Sequence, residues 1–143
     1  MPFVYLAVIA LAYIGDRLVK NWAAGALVTE HGGSLPLIDG VFHFTYCENR
    51  GAAFSMLQGK QGLLITITVL ISLAAVYFLF FSRRKLPVFP SIAIALALGG
   101  ALGNLYDRVV LGYVIDMMDF CLIHFAVFNV ADACVNIGIV LLA

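Results

Sequence analysis

Three short blocks decide how this chain folds: Gly103-Asn104-Leu105-Tyr106-Asp107-Arg108, Val114-Ile115-Asp116-Met117-Met118-Asp119-Phe120, and Phe128-Asn129-Val130-Ala131-Asp132. Together they place four carboxylates, one arginine and two asparagines between two runs apolar enough to cross a membrane. A carboxylate at membrane depth costs about 2.5–3.5 kcal/mol on insertion scales, so several together mark a functional site rather than surface decoration. Asp116 and Asp132 are the candidate catalytic pair, with the rest of the chain positioning them.

Composition sets the surroundings. Of 143 residues, 64% are hydrophobic and 11% charged, too few charges to clothe a soluble domain. The sequence reads as one integral membrane domain over residues 1–143. Its net charge is zero, which excludes the basic footprint of a nucleic-acid binder. Cys47, Cys121 and Cys134 are an odd set without metal-ligand spacing, so no disulfide framework is expected. The apolar start lacks a basic stretch before it and a polar mature domain after it, and is read as a span rather than a cleavable signal.

Working outward, four membrane-spanning helices are expected at about 3–27, 61–82, 86–106 and 124–143. The fold class is an all-α membrane bundle with a small hairpin or sheet on its external face. The first span carries Asp16, Arg17 and Lys20 in its second half. Asp16 and Lys20 are four apart and share a face, where they can pair towards the bundle interior. Arg17 points elsewhere, either snorkelling or joining a polar network. Between the first two spans, Asp39-Gly40 is the expected turn of a hairpin within Leu35 to Tyr46, in a sheet of two or three strands. The small residues of Asn49-Arg50-Gly51-Ala52-Ala53-Phe54-Ser55 then allow close backbone approach. Gly99-Gly100 and Gly103 let another helix pack close to the third span. The chain stops at Ala143 without a polar tail, which reads as a shortened C-terminus.

Arg83, Arg84 and Lys85, between the second and third spans, set that loop and both termini in the cytoplasm. Asp16, Asp116 and Asp132 then converge near the external interface. Two carboxylates held together cannot both ionise easily, so one keeps a proton while the other stays charged. The ionised member takes a proton from water and the protonated member donates to a scissile carbonyl; the pair titrates as a unit, with neither role assigned to either residue. Asn104 and Arg108, and Asn129 beside Asp132, supply donors to hold them. Asp119 lies one turn from Asp116 and is an alternative partner on these grounds. Ser55 with Lys60 or Lys20, and Cys121 with His124, lack the surroundings of an activated nucleophile. His31, His43 and His124 are scattered. A small proton-coupled transporter subunit using the acids as a relay is the alternative function, and a packing protein without chemistry a third; clustering of the acids on one side of the bilayer argues against the relay.

These blocks, with Asp16 and Lys20 and the Asn49–Ser55 segment, occur in order along nearly the whole chain and resemble lipoprotein signal peptidase (signal peptidase II), a family of bacterial membrane aspartic proteases. The resemblance implies that Asp116 and Asp132 are the catalytic dyad, with Asp119 a neighbour. It implies that Asp16, Lys20, Asn49, Asn104, Asp107, Arg108 and Asn129 support the site or the substrate, and it assigns Arg50 no role. It further implies removal of signal peptides from diacylglyceryl-modified prolipoproteins just before the lipidated cysteine. No metal or other cofactor is implied; membrane lipid and globomycin-type cyclic peptide inhibitors are the other expected partners, in the bacterial cytoplasmic membrane, and a monomer is the default expectation for a chain whose oligomeric state the sequence does not set.

Overall fold

A computed structural model describes residues 1–51, 57–82 and 86–143. Ala52 to Ser55 of the Asn49–Ser55 segment, and the Arg83-Arg84-Lys85 loop that orients the chain, lie outside the described residues. Helix α1 spans Pro2–His31, α2 Gln61–Phe81 and α3 Val88–Val110, each long and apolar enough to cross a membrane. A fourth helix, α4, spans Val130–Leu142. Its thirteen residues rise about 20 Å, short of a hydrocarbon core of about 30 Å.

The expectation that this last helix begins near 124 is corrected. Cys121–Ile123 forms a 3₁₀ turn, and Phe128 pairs with Met118 as an isolated bridge before the helix starts. Asn129 and Asp132 form a capping box: Asn129 Oδ1 accepts from the Asp132 N–H at 2.8 Å, and Asp132 Oδ2 accepts from the Asn129 N–H at 3.3 Å. That reciprocal pair fixes where α4 begins. The structure therefore holds three spans of full length and one shorter apolar helix among the described residues.

Helix α3 is the hub, packed by α1, α2 and α4. Its glycines set the spacing. A Cβ on Gly99 would stand 2.7 Å from both the Ile9 carbonyl oxygen and the Ala12 Cβ of α1, and one on Gly100 would overlap the Ala131 carbonyl of α4. The small-residue reading of the third span thus holds on two faces. Gly100→Ala is expected to push α4 away and cost about 1–3 kcal/mol, read as a lowered Tm of the detergent-purified protein. Helix α2 is apolar all round, and its exposed Ile67, Leu70, Ile71 and Leu73 face lipid.

Strand β1 (Ser34–Ile38) pairs antiparallel with β2 (Phe42–Asn49), and β2 with β3 (Val114–Asp119), in the order β1-β2-β3. The hairpin turn falls at Asp39-Gly40 as expected, with Gly40 at φ 68. Asp116, expected one helical turn from Asp119, stands instead on β3, opposite Cys47. The short run Val114 to Asp119 is paired along β2, which is what holds it extended.

Two apolar cores bracket the site. Tyr5, Leu79, Ala95 and Leu98 pack at one end of the bundle. Ala23 and Leu27, late in α1, pack with Ile115 and Met117 of β3 at the other. Between them lies the polar cluster.

Candidate active site

Lys20 is the centre of the cluster and is wholly buried. Its Nζ reaches Asp16 Oδ2 at 2.8 Å, Asp107 Oδ2 at 2.9 Å and Asn104 Oδ1 at 2.8 Å. The Asn104 contact is a hydrogen bond, and the two carboxylates hold the ammonium as close ion pairs. The Asp16–Lys20 pair forms at helical spacing as expected, but it also draws in Asp107 from α3. Asp16 Oδ1 accepts from the Ala131 N–H of α4 at 2.9 Å, tying a third helix to the same knot. Buried charges persist only when paired this closely.

Asp107 accepts from the Ile115 backbone N–H at 3.1 Å, fixing β3 one residue before Asp116. Asn104 Nδ2 donates to Asp132 Oδ1 at 2.8 Å while its Oδ1 accepts a hydrogen bond from Lys20 Nζ. Asn129 Nδ2 donates to Asp116 Oδ1 at 2.6 Å and also reaches Asn104 Oδ1 at 3.1 Å and the Ile115 carbonyl at 3.3 Å. Asn49 Nδ2 donates to Asp116 Oδ2 at 3.1 Å. Two asparagines thus join Asp116 on β3 to Asp132 in the first turn of α4. All nine residues named from the sequence lie in one network or at its edge.

Asp116 is 1% exposed, whereas Asp132 is half-buried. Burial pushes the Asp116 carboxyl up to about 7, and the charge of Asp132 adds to the effect; donors from Asn49 and Asn129 oppose it. Arg108 feels the charges of Asp132, Asp116 and Asp107, yet its hydrogen bond runs from Nη2 to the Gly51 carbonyl at 3.3 Å. It is an electrostatic neighbour of the carboxylates rather than their direct donor. Asp119, three residues along an extended strand from Asp116, falls on the opposite face and takes a hydrogen bond from Thr45 Oγ1 at 3.1 Å.

The structure decides between the two readings of Arg17 and adds one feature that the sequence reading missed. Arg17 joins the polar network, with Nη2 at 2.6 Å from Asp107 Oδ1. Asp132 doubles as the capping partner of Asn129, a role that the Asn-x-x-Asp spacing ahead of an apolar run signals.

Apolar spans closed at one end around a knot of ionisable side chains define a multi-pass membrane protein. The family described as signal peptidase (SPase) II matches residues 8–143. Lipoprotein signal peptidase of Clostridioides difficile strain 630 is 44% identical over 138 residues, covering 96% of this chain and 90% of its own. That of Nostoc punctiforme is 44% identical over 132 residues, covering 92% and 82%. A solved bacterial membrane enzyme, determined by the in meso method at 2.3 Å, superposes with a TM-score of 0.87 at 33% identity, covering 97% of this chain and 84% of its own. The chain belongs to the signal peptidase II family and is a membrane peptidase.

Proposed function

We propose that this peptidase removes signal peptides from diacylglyceryl-modified prolipoproteins, cutting just before the lipidated cysteine, with Asp116 and Asp132 as its catalytic dyad. The observation that carries the dyad is the asparagine bridge: Asn129 holds Asp116 while Asn104 holds Asp132, and the two asparagines bond to each other. Asp116 is buried with its proton favoured, and Asp132 is half-buried.

The two acids share one proton and hold the hydrolytic water. The ionised carboxylate takes a proton from that water as its oxygen attacks the scissile carbonyl carbon. The protonated partner donates to the carbonyl oxygen, and the tetrahedral intermediate collapses with a proton passed to the departing amine. Asp16, Lys20, Asn49, Asn104, Asp107, Arg108 and Asn129 position the pair and the substrate. A diacylglyceryl anchor keeps the cysteine in the membrane plane, which supplies proximity. Globomycin-type peptides compete for the same site. The protein acts as a single-domain monomer in the bacterial cytoplasmic membrane, with both termini cytoplasmic and the site near the outer face. Asp107, Asp116 and Asp132 cluster where α3 ends and α4 begins, which does not suit a proton relay across the bilayer.

The pH dependence of turnover tests the shared proton. A carboxyl raised to about 7 loses its proton as the pH rises through that value, so kcat should have an alkaline limb near pH 7. Turnover of a lipidated precursor that stayed level from pH 6 to 9 would remove the protonated acid from the mechanism.

A further inference from the structure

Arg17 is the one cation of the cluster to which no role attaches. Its side chain is 15% exposed, its Nη2 lies 2.6 Å from Asp107 Oδ1 and 3.7 Å from Asp16 Oδ2, and its guanidinium carbon sits 4.7 Å from the Tyr106 ring centre. The Asp107 contact is close but off the hydrogen-bonding direction, so charge rather than alignment carries it. Asp107 uses its other oxygen for Lys20 and for the Ile115 N–H, the backbone link before Asp116. With Oδ1 free, the carboxylate can rotate and take Oδ2 away from Ile115.

Charge balance points the same way. Asp16, Asp107, Asp116 and Asp132 face Arg17, Lys20 and Arg108, so the cluster is neutral when the carboxylates carry a single proton. Low-dielectric surroundings favour that neutral state. The other ionisable groups nearby do not alter the count. Glu48 of β2 pairs with Arg50 just beyond it at 3.2 Å, Asp119 is bound to Thr45, Cys47 is a free thiol whose proton burial retains, and Cys134 is a free thiol.

We propose that Arg17 is a positioning residue which, through Asp107, fixes β3 beneath Asp116 and sets the number of protons held by the Asp116–Asp132 pair. This rests on the dyad reading, and the test separates the two. Arg17→Gln, Arg17→Lys and Asp116→Asn would be purified and assayed on a diacylglyceryl-modified precursor across pH. Arg17→Gln leaves the cluster one charge more negative, so the shared proton is held more tightly. Its kcat should fall about tenfold with KM little changed, and its alkaline limb should move to higher pH. Arg17→Lys keeps the charge and should return the limb to its wild-type place.

A limb that stays put in Arg17→Gln, or a fall in kcat that lysine does not reverse, overturns the proposal. Should Arg17→Gln fail to accumulate as folded protein, the lysine variant decides: a displaced limb there counts against it and an unmoved limb supports it. An inert Asp116→Asn beside an unchanged Arg17→Gln sinks the Arg17 role alone. An active Asp116→Asn sinks the dyad itself.

Discussion

Asp116→Asn and Asp132→Asn should each lower kcat by on the order of 10⁴-fold or more, with the protein still folded and extractable from the membrane. The amide is nearly the size of the carboxyl but can neither take a proton from water nor pass one to a carbonyl oxygen. At position 116 the amide keeps one of the two contacts from Asn49 and Asn129, and it no longer buries a charge. At position 132 it keeps an oxygen for one of the two donors, Asn104 Nδ2 or the Asn129 N–H. Neither substitution touches Lys20, so the helices stay tied. Because the two acids act as one unit, the double variant should be hardly slower than either single one. Cleavage of a lipidated precursor by purified protein measures this, and appreciable turnover by either variant would count against the dyad.

Lys20→Met should produce the opposite pattern, a loss of the fold rather than of chemistry alone. The substitution leaves the wholly buried Asp16 without its closest cation, Asp107 with Arg17 alone, and Asn104 Oδ1 without the closer of its two donors. Breaking a buried ion pair by removing one partner costs about 3–5 kcal/mol, a large part of a small domain's stability. Little monodisperse protein should survive extraction, and what survives should melt far below wild type. A Lys20→Met protein that melted like the parent would show that the helices do not depend on this knot. Contrasting it with the asparagine variants separates residues that hold the bundle from those that react in it.

How much of this was legible in the sequence depends on which distances the chain itself sets. The three long spans follow from apolar length, broken in the first by Asp16, Arg17 and Lys20, and the hairpin turn from Asp39-Gly40, because both are local. The site set was legible because a polar side chain in an apolar run has few places to go. Tertiary pairing was less so. Val114 to Asp119 is too short for periodicity to distinguish strand from helix, and β2, some seventy residues earlier in the chain, makes it a strand. The late start of α4 depends on the capping box and on Phe128 stacking against Phe120, centroids 5.8 Å apart. Arg17 was left between lipid surface and network because its helix face acquires a partner only when α3 brings Asp107 beside it.

The claim on which the mechanism depends is that one proton belongs to two carboxyls. Infrared spectra of the purified protein at about pH 6 report protonated carboxyls directly through their C=O stretch. Followed across pH, a single such band assignable to this site should be present in the wild type and lost in Asp116→Asn, while in Asp132→Asn it should disappear at lower pH, because burial still raises the Asp116 carboxyl but the neighbouring charge no longer does. A band that survived Asp116→Asn, or whose pH dependence did not move in Asp132→Asn, would show two acids titrating independently, and the shared-proton account would fail.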